Sequence, residues 1–391
     1  MSERIDNAYQ DISSFVCIVR SNIVEANNTL YDFLQQLGLH IITKEMGAIW
    51  TGSVSPFADQ IIDEIFKHAQ VIIILLECDE QVRLARDLIK DQQRKQETMF
   101  LFQPSLNVIF QAGYAFGRYP KQTILIRMGQ SGLFSDIDGR YIVDFSGTKE
   151  ECLRLLGLLI SAGCTLNITE NASRDLKSVS TIGISDILSV QNTSWSALTA
   201  SHNDVSEDIN NKSRKRERLI SARKIFVVYG RNRHVKEAVF GFLRALDLSP
   251  IEWEKAIPFT GSGAPYIGQV LEVLLMQAQV VLVLLTGDDE VKRKNRHTGS
   301  KSQIIFQPRP NVVFEAGMAF GNMRLSSKTM LLEIGEVDIG QELVGRHRFS
   351  HRNDTWHYEV MIENLQHMGC TVKIENEALA RRMWLNISMH Y

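Results

Sequence analysis

The chain has 391 residues, too long for one ordinary domain and suited to two of roughly 100–200 residues each. Its 44% hydrophobic and 23% charged residues make a normal globular mixture, and a formal net charge of -2 gives no general attraction to nucleic acid or to an anionic membrane. Five cysteines without a CxxC pair suit a reducing compartment, read here as the cytoplasm; Met1 to Asp11 lacks the apolar stretch of a secretion signal, and runs such as Val280 to Leu285 fall far short of the roughly 20 residues that span a bilayer.

Taken in order, Phe15 to Val19 is a short β-branched run followed by polar residues, which predicts a buried strand. An amphipathic helix follows over Glu25 to Leu37 and stops at Gly38. Next come a strand from His40 to Thr43, a Gly/Ser/Pro loop from Gly47 to Pro56, and a helix from Phe57 to Ala69. Val71 to Leu76 is apolar at every position, the mark of a strand buried on both faces of a sheet and flanked by helices on both sides. A long polar stretch, Glu77 to Thr98, leads to a helix beginning at Asn107; strands at Thr123 to Arg127 and Tyr141 to Phe145 and a helix at Lys149 to Ala162 close the unit.

The second half repeats this order. Phe226 to Tyr229 matches Phe15 to Ile18, Ala278-Gln279-Val280 matches Ala69-Gln70-Val71, and Gly369-Cys370-Thr371 matches Gly163-Cys164-Thr165. The offset between the halves shifts most between the central strand and the next motif, so the variable loop lies beside that motif. The expected division is residues 1–166, a polar linker 167–220 and residues 221–391. The linker carries at most a weak helix near Ile184 to Leu198, and its basic end, Lys212 to Arg218, reads as a solvated lead into the second domain rather than a nucleic-acid patch. A tail helix, Ala378 to Leu385, offers Met383 and Trp384 for an interface. Alternating strands and helices in each half predict two flavodoxin-like, doubly wound parallel sheets, with ligands at the carboxyl ends of the strands.

The strongest match between the halves is Phe306 to Gly321, F-Q-P-R-P-N-V-V-F-E-A-G-M-A-F-G, against Phe102 to Gly117, F-Q-P-S-L-N-V-I-F-Q-A-G-Y-A-F-G; eleven of sixteen positions coincide. One difference changes the chemistry, because Glu315 can carry charge and Gln111 cannot. Pro310 suits a first helical turn, which puts Asn311 and Glu315 one turn apart on the same face. With Asn322 they form a polar stripe that either faces water or serves a site, while Val312, Val313, Ala316 and Phe320 pack inward on the sheet. Placed early in the helix, an ionised Glu315 would gain from the macrodipole and could stabilise a cation developing on a sugar.

Other groups are less distinctive. In Tyr229-Gly230-Arg231-Asn232 the glycine permits a close backbone approach and the arginine can hold phosphate or hydroxyls. The loop Ile257 to Pro265, with Ser262, reads equally as a cover over the site and as a plain connection, and it is neither a Walker A loop nor GxGxxG. Asp288 and Asp289, with Asp79 and Glu80 at the first-half positions, suit turn and cap duty better than a metal or ribose. The basic run Lys292 to Arg296 can form a lid on phosphates. His347, His351 and His357 lack the partners of a metal site.

These blocks, above all N-V-V-F-E-A-G together with V-Y-G-R-N and L-L-T-G-D-D, resemble the bacterial TIR-like "predicted nucleotide-binding" domains of anti-phage systems over residues 224 to about 350. The resemblance implies a TIR-like fold in which the helix glutamate, Glu315, cleaves NAD at the nicotinamide-ribose bond, with NAD as substrate and no cofactor or metal. Arg231 and Arg309 would bind phosphate, Asp288 a ribose or amide, and Asn311 would orient Glu315. Residues 14 to 166 resemble the same family with Gln111, Val19 and Ser105-Leu106 in place of its glutamate, glycine and Arg-Pro, which implies an inactive copy that assembles or restrains the other. Homo-oligomers are expected, since related TIR proteins act by self-assembly. Two other readings stay open: a tandem module that binds a nucleotide without cleaving it, and a transferase of the nucleoside deoxyribosyltransferase type.

Overall fold

The two runs that are apolar at every position become the central strands of two sheets in the computed structural model, which describes residues 14–21, 28–77, 80–85, 100–129, 132, 134–166, 222–293, 303–340, 343 and 346–387. In the first repeat β1 (Phe15–Val19), β2 (His40–Ile41), β3 (Val71–Leu76), β6 (Thr123–Arg127) and β7 (Ile142–Asp144) pair in parallel, in the order β2-β1-β3-β6-β7. In the second, β8 (Lys224–Val228), β9 (Ser249–Ile251), β10 (Val280–Thr286), β13 (Thr329–Ile334) and β14 (Arg348–Ser350) run β9-β8-β10-β13-β14, also in parallel. Both are the flavodoxin-like order. Every residue of β3 and of β10 is buried, as two covered faces require.

Helices α1 (Asn28–Gln36) and α5 (Lys149–Ser161) cover the outer face of the first sheet, and α2 (Lys44–Trp50), α3 (Ala58–His68) and α4 (Leu106–Arg118) its inner face. In the second repeat α6 (Arg233–Ala245), α10 (Thr355–His367) and α11 (Glu377–Asn386) lie outside, with α7 (Trp253–Ala256), α8 (Ile267–Gln277) and α9 (Pro310–Gly321) inside. The two inner layers share one hydrophobic core. The repeated Ala-Gln-Val has a structural meaning: the Gln70 amide donates to Ala162 O at 2.9 Å and the Gln279 amide to Met368 O at 3.2 Å, each tying its sheet to its closing helix.

Three expectations change. Gly47 to Pro56 is not all loop, because Thr43 caps α2 by accepting from Met46 N at 3.3 Å; Gly47 lies inside that helix, where a Cβ would strike Ile65, and β2 is cut short as a result. Trp384 is no interface residue: it is buried against Phe242 and Phe349, and its indole donates to Arg352 O at 3.0 Å. Met383 packs over Gly241. The expected linker 167–220, with its weak helix and basic run, lies outside the described residues, as does Asp79. Among the described residues no helix is long and apolar enough to cross a membrane.

The polar stretches hold a third sheet. Strands β4 (Glu80–Leu84), β5 (Leu101–Gln103), β11 (Asp289–Arg293) and β12 (Gln303–Gln307) form an antiparallel sheet in the order β12-β11-β4-β5, whose central pairing joins one repeat to the other. A largely buried ion pair locks it, with Arg83 Nε donating to Glu290 Oε2 at 2.9 Å. The supposed phosphate lid is therefore partly strand: Lys292 and Arg293 belong to β11, with the Lys292 ammonium 3.8 Å from the centre of the Phe100 ring, and residues 294–296 lie outside the described residues.

Helices α4 and α9 cross with backbone against backbone. A Cβ on Gly113 would collide with the Phe314 carbonyl, one on Gly317 with the Phe110 carbonyl, one on Gly117 with Met318 O and one on Gly321 with Tyr114 O. Around the crossing, Phe110 packs on Phe320 at 6.1 Å and Phe116 on Phe314 at 6.0 Å between ring centres. Contacts this reciprocal are those of a two-fold dimer, made here inside one chain. The shared A-G and A-F-G of the two motifs are thus packing surfaces. Gly317→Val should destabilise the protein by about 3 kcal/mol or more, since carbonyls cannot move aside as a side chain can. Gly157→Ala, at an exposed helical position with open space around it, should stabilise it by about 0.5–1 kcal/mol. Chemical denaturation of both variants checks the pair.

Candidate active site at the seam between the repeats

Helix α9 begins where Pro310 allows, with Arg309 as an extended N-cap and the proline in the first turn. One side of it is taken up by α4. Asn311 and Glu315 do share a face, yet that face meets the first repeat instead of open water. The loop from Phe134 to Arg140 lies across it, anchored by Phe134 at 5.2 Å from the Phe314 ring and by the buried Ile137. Asn311 Nδ2 donates to Ser135 Oγ and to Asp136 Oδ1, each at 2.5 Å. Asn322 is not part of this stripe, because its side chain accepts from Arg324 N at 3.1 Å beyond the helix end.

Asp136 is buried, and its Oδ2 receives no hydrogen bond from a protein donor. The carboxyl of Glu315, one turn along α9 from Asn311, lies close enough to interact with it. Two carboxylates this close repel, so each disfavours the charge of the other. Burial raises the pKa of Glu315 well above the usual carboxylate range, and the charge and hydrogen bond of Asp136 add to the rise. Burial pushes Asp136 up to about 6, against hydrogen bonds from Glu315 and Asn311 and the nearby charge of Arg309. Both shifts act against two charges on the pair. As the sixth residue of α9, Glu315 lies past the turn where the macrodipole acts, so the expected gain from it is missing and desolvation opposes its charge.

The loops after β8 and β10 supply the rest, at the carboxyl ends of adjacent strands where the sheet order reverses direction. Asp288 is fully buried and accepts from Thr286 Oγ1 at 2.8 Å and from Arg231 N. A Cβ on Gly230 would collide with its carboxylate, which explains that glycine. Asp289 is buried too and is pushed up to about 7 by burial. Arg309 is half-buried; burial lowers its pKa, with Arg231 acting in the same sense and Asp289, Asp288 and Asp136 opposing. Its Nε is buried without a hydrogen-bond partner.

Glu315, Asn311, Arg309, Gly230, Arg231 and Asp288 are thus gathered into one cluster, and Tyr229, Asn232 and Ser262 are not. Asn232 caps α6 by accepting from Val235 N at 3.1 Å. Tyr229 turns its ring toward Phe240 and the Lys236 ammonium. Ser262 sits in an exposed loop and accepts from Ala264 N at 3.3 Å. His351 contacts Trp384 O and His357 contacts Asp354. Asn311 reaches Asp136 where an approach to Glu315 was expected. Sequence reasoning missed Asp136 and Ser135; the one signal for them is Asp136-Ile137, matched by Asp338-Ile339 in the second repeat.

A family model described as "CAP12/Pycsar effector protein, TIR domain" matches the chain twice, over residues 16–147 and 224–353. No curated protein matches it.

The carboxyl pair has a consequence for stability. Because Glu315 has a higher pKa folded than its unfolded value of about 4.3, the fold keeps its full stability below that pH and loses stability as pH rises toward the folded value. Glu315→Gln removes this loss. Thermal unfolding should find Glu315→Gln more stable than wild type at neutral pH, with the two converging near about pH 4. Equal melting temperatures throughout would mean that Glu315 ionises freely.

Proposed function

The chain belongs to the CAP12/Pycsar effector TIR family of anti-phage defence and carries its domain twice, and from this we propose that the second copy cleaves the bond between nicotinamide and ribose in NAD. One observation carries the reading: the Glu315 carboxyl faces Asp136, which Arg309 also faces, and Arg309 stands with Arg231 at the ligand edge of the sheet, while Gln111 occupies the place of Glu315 in the first copy.

As the bond breaks, nicotinamide leaves with the bonding electron pair and becomes neutral, and positive charge develops on the ribose. A carboxylate beside C1′ and its hydroxyls lowers the energy of that cation. Water then attacks C1′ and gives up a proton, leaving ADP-ribose; capture by a group within the nucleotide gives a cyclic product instead. The partnerless Nε of Arg309, with Arg231 beside it, suits a phosphate or hydroxyl oxygen of the substrate. Asp288 holds the Gly230-Arg231 turn in place, so its role is to position Arg231.

The first copy has no carboxyl at Gln111 and serves as the partner on which the second is built. Assembly of whole chains is a further part of the proposal, and turnover per chain that rises with protein concentration would support it.

Purified full-length protein incubated with NAD should release nicotinamide. Glu315→Gln should lower the rate about 100-fold or more, whereas Gln111→Glu should leave it within a few-fold of wild type. Saturable NAD binding without product would instead favour a binding module, and exchange of nicotinamide for an added base without hydrolysis would favour a transferase.

A further inference from the structure

Each repeat carries an Asp-Ile pair in the loop that follows β6 in the first and β13 in the second, and both isoleucines are buried. Both loops are tied to the strand before the motif helix of their own repeat, with Gly132 N donating to Phe102 O and Asp338 N to Phe306 O, each at 2.8 Å. Both also reach across the seam. The first meets Asn311 on α9; the second meets α4, where a Cβ on Gly340 would lie 2.8 Å from Asn107 Oδ1. Asn107 and Asn311 hold the same place in the two motifs. What differs is the residue one turn further along, Gln111 in one helix and Glu315 in the other. An amide can donate to a carboxylate at any pH, whereas a second carboxyl can do so only while it holds a proton.

We propose that the first repeat acts on the second through Asp136, a positioning residue held by Asn311 that lies against the Glu315 carboxyl and opposes its charge. The inference rests on the reading of Glu315 as the group that stabilises the ribosyl cation. Charge at Glu315 then appears when the pair ionises or when the Phe134 to Arg140 loop is drawn away.

The neighbouring charges do not cancel this effect. Arg309, at the start of α9, steadies the charge of Asp136, and Asp138 in the same loop opposes it. Arg140 in that loop is answered by Glu272 as well as by Asp136. Arg231, Asp288 and Asp289 surround Arg309. Among these groups, Asp136 is the one that bears on Glu315. The copy without catalytic chemistry thereby governs the ionisation of the copy that has it.

The test uses the full chain with Asp136→Asn, Glu315→Gln and the double variant, read by the pH profile of NAD turnover and by thermal unfolding. In Asp136→Asn the rising limb of the profile should move down by about one pH unit or more, which raises turnover near neutral pH about tenfold. The two substitutions relieve the same repulsion, so their effects on melting temperature should fall short of adding near neutral pH and should add near about pH 4. An unmoved limb in Asp136→Asn overturns the proposal, and so does loss of turnover at every pH by a variant that is still folded. If wild type turns over no NAD, the NAD reading fails by itself and unfolding decides: additive effects at every pH overturn the proposal, and non-additive effects near neutral pH support it.

Discussion

Where α4 crosses α9, backbone lies on backbone, and the placement of the site follows from that crossing. Gly113, Gly117, Gly317 and Gly321 let the two helices approach until each meets the other's carbonyls, and the phenylalanines on either side fill the remaining space. Helices held this close bring two inner helical layers into one core and carry the loop of each repeat onto the motif helix of the other. Glu315 meets Asp136 for this reason. The first copy retains the residues that make the crossing while it lacks Glu315, Gly230 and Arg309, having Gln111, Val19 and Ser105 instead. It has kept its packing surface, and Arg20 in the place of Arg231, without the glutamate and the Arg309 proposed for chemistry.

The electrostatics of the seam follow from the same closeness. Four acids and two arginines crowd together with little water to screen them, so charges that would scarcely interact at a surface become coupled. Burial raises every carboxyl in the group. Arg309 steadies Asp136, Asp288 and Asp289, and Glu315 is left as the acid with no cation of its own. Under the proposed regulation, drawing Asp136 away would let Glu315 take up its charge.

Much of the fold was legible because its signals are local. Val71 to Leu76 and Val280 to Leu285 are apolar at every position, Pro310 marks a helix start, and the repeated Ala-Gln-Val keeps the same bond to the closing helix. What escaped depends on partners far away in the chain. Strands β4 and β11 pair with each other across the repeats, so neither half alone calls for them. Gly47 serves helix packing rather than a turn, and glycine signals both. An amphipathic tail looks alike whether Trp384 fills its own core or another chain's. The polar stripe of Asn311 and Glu315 was legible as a stripe, but what covers it comes from residues 134–140, and a two-residue Asp-Ile match is too short to reveal the cover.

The account stands on whether the Glu315 carboxyl is protonated near neutral pH because Asp136 lies against it. Infrared difference spectra of the full chain, wild type minus Glu315→Gln, read this directly through the carbonyl stretch of a protonated carboxyl. The band should be present at neutral pH, fade as pH rises, and in an Asp136→Asn background fade at lower pH. A spectrum with no such band at neutral pH, or a band whose titration is the same with and without Asp136, would contradict the account.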